Sequence, residues 1–123
     1  MADGALFVGW GNVVRGREHR ALEVFQEALE YYGDLQKKKD IESFEVVLLE
    51  QHGGDLNGFV LIRGDEDRLS RLRTDQEFQR RILRAQLAVD NVGVVGGLIG
   101  DGINRAMGDF VAEIAKLKEP VAV

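Results

Sequence analysis

Cysteine is absent from the sequence, which excludes a disulfide framework, a thiolate zinc site, an iron–sulfur cluster and a cysteine nucleophile. Histidine is scarce: His19 and His52 are the only two, so any imidazole base or histidine metal site has to use them. Proline and tryptophan occur once each, as Pro120 and Trp10. Positive charge is in deficit, with 16 Lys and Arg against 21 Asp and Glu, and the net charge of -5 repels phosphate backbones and anionic lipid at long range. Neither nucleic acid nor a membrane is therefore an expected partner. Long apolar runs are missing as well. Ala5 to Trp10 is far short of the roughly 20 residues of a membrane span. The Met1-Ala2-Asp3-Gly4 segment before it lacks the basic region of a signal peptide. These absences lead to the expectation of a cytoplasmic protein.

What remains is the composition of an ordinary globular protein, 45% hydrophobic and 30% charged over 123 residues, enough for one domain spanning 1–123. Ala5 to Trp10 reads as a buried strand. From Arg17 to Lys38, Leu22, Phe25, Ala28, Leu29, Tyr32 and Leu35 recur at spacings of three and four, the mark of an amphipathic helix. Lys37, Lys38 and Lys39 suit its C-terminus. Ile41 to Gln51 and Leu56 to Arg63 are β-type runs joined by His52-Gly53-Gly54-Asp55, a hairpin signal. A short helix over about 66–73 precedes Thr74-Asp75-Gln76-Glu77, whose S/T-x-x-E spacing predicts a capping box and a second helical piece. Val92 to Ile99 reads as a fourth strand. Ile103, Met107, Phe110, Val111 and Ile114 form a last amphipathic stripe, with Pro120 beyond its end.

The fold class is accordingly α+β: a ferredoxin-like β-α-β-β-α-β order with a four-stranded antiparallel sheet, two helices on one face and an additional C-terminal helix. Both faces of the central hairpin are apolar, and two helices on one side do not cover Val47, Leu49, Val60 and Ile62 as well. A second copy of the chain is the simplest cover, which makes a homodimer the expected assembly. The element order, the Gly53-Gly54 hairpin and the broken second helix with its Asp75 to Phe78 segment resemble the dimeric α+β barrel superfamily, related to antibiotic-biosynthesis monooxygenases and to the YCII and EthD groups. The resemblance covers about residues 5 to 100. It implies a dimeric barrel; it does not transfer an activity, because the superfamily includes oxygenases, isomerases, haem enzymes and proteins without known function.

Several residues are candidates for chemistry. His19 and Glu23 stand one helical turn apart, with His52 as a third donor for a metal, but the spacing is common by chance and the reading expects no metal. Some cofactor-free monooxygenases of the superfamily use Asn, Trp and His around an activated aromatic substrate; the resemblance implies Trp10, Asn12 and His19 or His52 for those types. Trp10 also reads as a core or interface anchor. Arg15, Arg17 and Arg20 cluster before and within the start of the first helix and offer charge for an anionic ligand. Gly93, Gly96, Gly97, Gly100 and Gly102 fail as a nucleotide loop, since Arg105 stands where the third glycine belongs. Glu45 lies among apolar strand neighbours and is a candidate for proton transfer, with Glu50 the weaker one. The expected pocket lies between helices and sheet, lined by Trp10, Asn12, Glu45 and Phe59 and capped by His19 or His52, with Arg15 a further substrate-binding candidate. Two functions fit: a cofactor-free oxygenase- or isomerase-like enzyme acting on a small organic molecule, or a non-enzymatic homodimer binding a ligand or partner. No haem, flavin or tightly held transition metal is expected.

Overall fold

Each apolar run of period two becomes a strand and each stripe of period 3.6 a helix. The computed structural model describes residues 1–117, in the order β1 (Gly4–Trp10), α1 (Glu18–Lys37), β2 (Ser43–Leu48), β3 (Gly58–Gly64), α2 (Glu66–Thr74), α3 (Gln76–Gln86), β4 (Gly93–Leu98) and α4 (Asp101–Lys116). Pro120 lies outside the described residues. The strands form one antiparallel sheet in the order β2-β3-β1-β4, the split β-α-β arrangement expected from the sequence.

The register decides which side chains meet the helices. Val8 pairs with Val60 and Val94, Leu6 with Ile62, and Val46 with Val60, so these residues share one face. Tyr32 and Leu35 of α1, Leu69 and Leu72 of α2 and Phe78 of α3 close over it. Ile62 is 0% exposed and Phe78 2%, and such fully buried side chains contribute roughly 1.5–3 kcal/mol each. The opposite face carries Phe7, Val47, Phe59, Leu61 and Val95 by alternation. Val60 and Ile62 are therefore not on the uncovered side, as the sequence reading had them. Val47 pairs with Phe59, and Phe59 and Leu61 take their place.

Three local expectations shift. The hairpin strands are shorter than their apolar runs, because residues 49–57 form a loop that folds back on β1, where the Asn57 N–H donates to the Trp10 carbonyl at 2.8 Å. Its Gly53 does adopt a positive φ, +80°, as a reversal requires. At the break between α2 and α3 the cap is Asp75 and not Thr74: the Asp75 carboxylate accepts from the N–H groups of Glu77 and Phe78, while the Thr74 hydroxyl donates back to the Arg71 carbonyl. The glycines after β4 act within the chain. A Cβ at Gly102 would stand 2.2 Å from the Asp3 carbonyl oxygen, and Arg105 bonds Asp3 at 2.5 Å and Glu66 at 3.4 Å. Those contacts anchor the first turns of α4. The Glu66 N–H and Arg105 together hold the Asp3 carboxyl below the usual range. The stripe of α4 beyond this anchor is unpartnered among the described residues: Met107, Phe110 and Val111 are 55%, 62% and 63% exposed.

Candidate functional site

Helices α1 and α3 lie side by side on one face of the sheet. Ala21 and Ala28 of α1, Ala85 of α3 and Ala88 just after it leave unfilled space where longer side chains would interdigitate. The result is a cleft of about 420 Å³, within the size range of ligand pockets. Val8, Trp10 and Val60 supply its floor, and Phe25, Tyr32 and Ile82 its walls. One end is closed by a backbone seam between the segments that follow β1 and α3. Val13 and Val89 form a bridge, the Val14 N–H donates to the Ala88 carbonyl at 2.9 Å, and the Gly11 N–H donates to the Asp90 carbonyl at 2.7 Å.

Trp10 is held by shape. Its indole lies against Gly58, where a Cβ would come within 2.6 Å of the ring, and Phe25 meets it edge-on at 6.2 Å. Tyr32 is buried, and burial pushes its phenol up to about 12; Tyr31, whose hydroxyl is buried without a hydrogen-bond partner among the described residues, is raised further by burial and by the carboxylates of Asp75 and Glu77. Both phenols are neutral at physiological pH. The charged residues along the cleft are occupied. Glu27 bonds Arg84 at 2.5 Å and lies 4.0 Å from Arg81. Arg81 also bonds Glu77 at 3.0 Å and covers the Tyr31 ring. The Glu18 carboxylate accepts from the Gly16 N–H.

Beside the cleft, and sharing Val24 and Arg84 with it, is an open polar basin lined by Gly16, Arg17, His19, Arg20, Glu23 and Leu87. His19 pairs with Glu23 at 3.4 Å and Arg20 pairs with the same carboxylate at 3.7 Å. Arg17 donates to the Leu87 carbonyl.

The expected site residues do not converge. Trp10 lines the cleft and His19 the basin. His52 is used by its own loop: its Nδ1 accepts from the Gly54 N–H at 3.2 Å, which leaves Nε2 as donor to the Leu56 carbonyl at 2.6 Å. Asn12 is exposed and accepts from the Asn57 side chain at 2.8 Å, and Arg15 is exposed. Glu45 and Phe59 project from the other face of the sheet. There Phe59 stacks on Phe7 at 4.9 Å, and exposed Glu45 pairs with Arg63 at 3.8 Å. Among the described residues no group of three or more His, Asp or Glu side chains is placed to hold a metal ion, and no helix is long and apolar enough to cross a membrane.

Solved structures share this architecture. A dimeric ferredoxin-like protein of unknown function from Bacteroides fragilis is 16% identical with a TM-score of 0.57, over 78% of this chain and 96% of that one. A second such protein, from a Jannaschia species, is 14% identical with a TM-score of 0.57, over 79% and 97%. The fold is ferredoxin-like. A variant of SnoaB, a cofactor-independent oxygenase from Streptomyces nogalater, is 18% identical with a TM-score of 0.50, over 80% and 93%. At these identities the likeness is one of fold. No protein-family model and no curated protein matches the chain.

The residues that sequence reasoning passed over are Tyr32, Phe25, Ile82 and the alanines. Phe25, Ala28 and Tyr32 of α1 and Ile82 and Ala85 of α3 are visible in the sequence only as the apolar stripes of two helices.

Proposed function

We propose that the protein is a ligand-binding homodimer that holds a small, largely apolar organic molecule between α1, α3 and the sheet. The observation that carries this reading is the 420 Å³ cleft, apolar on floor and walls, with Trp10, Phe25 and Tyr32 turned toward it. An oxygenase- or isomerase-like reaction needs a base or a convergent set of polar groups at the bound molecule. Here Tyr32 is held neutral, and Glu18, Glu27, Arg81 and Arg84 are engaged with one another or with backbone. That favours binding over catalysis. The dimer is supported by the uncovered apolar face of the sheet and by the dimeric proteins that share the fold.

The single tryptophan makes the test local. Titration with uncharged phenylnaphthylamine, read as energy transfer from Trp10, should saturate at one probe per chain. Ala85→Leu, which adds an isopropyl group inside the cleft, should weaken it by about tenfold or more, as expected when added side-chain volume blocks a packed site. Absence of transfer, or binding unchanged in a folded Ala85→Leu variant, would count against the cleft as the site.

A further inference from the structure

We infer that the ligand is a small organic anion whose apolar body fills the cleft and whose charged group lies in the adjoining basin against Arg17; this rests on the cleft being the binding site. Two independent features meet there. The cleft gives the ligand its apolar part, and it runs into the basin through Val24 and Arg84, which line both. The basin in turn concentrates positive charge in a protein whose net charge is -5. Arg17, Arg20 and Arg84 border it, with His19 at its edge and Glu23 as the acidic lining residue.

The side chains of the basin differ in what they already hold. Arg84 is bound to Glu27, and Arg20 and His19 share Glu23. Arg17 has no carboxylate within 4.0 Å among the described residues; its partner is the neutral carbonyl of Leu87, at the end of α3. A guanidinium carries five donors in a rigid fork, and one bond to a carbonyl leaves the others for a carboxylate or sulfonate. The carbonyl bond also fixes Arg17 across the basin, so less side-chain entropy is lost when an anion binds. A purely apolar ligand would leave this charge idle, and a simple inorganic anion would leave the cleft unfilled. An amphipathic anion satisfies both.

The test compares two probes with one aromatic frame: anilinonaphthalenesulfonate and its uncharged relative phenylnaphthylamine, each titrated into the full-length protein and read by energy transfer from Trp10. The sulfonate should bind more tightly than the neutral probe and lose that advantage as salt is raised. Arg17→Gln should weaken the sulfonate by about two- to fivefold, the range of a solvated ion pair, and leave the neutral probe unchanged. Arg17→Lys, which keeps the charge and gives up the fork, should restore only part of the sulfonate affinity. A purely structural role for Arg17 would instead move both probes together. If the neutral probe binds and the sulfonate shows neither preference nor dependence on Arg17, the anion assignment is overturned while the cleft stands. If neither probe takes energy from Trp10, the cleft reading falls, and the assignment with it.

Discussion

Trp10 has Gly58 on one side and Phe25 at its edge, and part of the indole borders the cleft. Truncation therefore removes contacts on some sides only. Trp10→Ala should destabilise by about 2 kcal/mol, below the roughly 3–5 kcal/mol of an aromatic enclosed on every side, as measured by urea unfolding; a loss under about 0.5 kcal/mol, the range of surface substitutions, would show that the ring is not packed. Tyr31 poses the reverse case, a buried hydroxyl with no partner among the described residues. Tyr31→Phe should be neutral or stabilising by up to about 1 kcal/mol, since an unsatisfied buried polar group has a cost. Tyr32 sets a pH dependence. Burial raises its phenol from 10.0 to about 12, so the folded state keeps a proton that the unfolded chain has released. The associated stability is fully present below pH 10 and is lost as pH rises from about 10 toward 12. Stability in that window should fall less steeply in Tyr32→Phe; an identical alkaline slope in both proteins would refute the assignment.

At the scale of the element, the helix break shows what local patterns can and cannot specify. The sequence around Thr74 and Asp75 offers two adjacent caps. Thr74 finishes α2 and its hydroxyl is spent on Arg71, whereas Asp75, extended at φ -64° and ψ 137°, leaves one helix and starts the next. Asp75→Ala should cost about 1 kcal/mol and Thr74→Ala less than about 0.5 kcal/mol, measured by thermal unfolding; equal losses would return the cap to Thr74. Strand and helix order were legible because Ala5 to Trp10, Phe44 to Leu48 and Phe59 to Ile62 carry β-type runs, and α1 a clean 3.6 period. The two faces of the sheet were not. Both are apolar in β2 and β3, and only the pairing of Val47 with Phe59 and Val46 with Val60 says which set belongs together. The cleft was hidden for a related reason: it is made by what Ala28 and Ala85 leave empty across two helices distant in sequence, and no residue type announces a gap. Trp10 and Phe59, expected to line one pocket, project from opposite faces of the sheet, since residues 10 and 59, though on adjacent paired strands, have opposite parity.

At the scale of the molecule, two apolar surfaces have no partner among the described residues. One is the sheet face of Phe7, Val47, Phe59, Leu61 and Val95; the other is the stripe of α4 through Met107, Phe110 and Val111. Helices α1, α2 and α3 close over the other side of the sheet, and the exposure of the α4 stripe shows that α4 does not cover this face either. A contiguous patch of this kind on a monomer is an interaction site or an aggregation liability, and a stable interface needs on the order of 800 Å² from each partner. Five sheet residues centred on the Phe7–Phe59 stack place aromatic side chains at the middle of such a patch, where interface energy concentrates. The chain should therefore run as a dimer in light scattering at micromolar concentration. Leu61→Asp, on the uncovered face, puts an unpaired carboxylate into that contact and should dissociate it. Ser70→Asp is the control, because Ser70 is exposed on α2 on the far side of the sheet and introduces the same charge. If Leu61→Asp folds and remains dimeric, the sheet face is not the interface. If the parent protein is a soluble monomer, the homodimer proposal itself fails, and the face of Phe7 and Phe59 has to be assigned to a different partner.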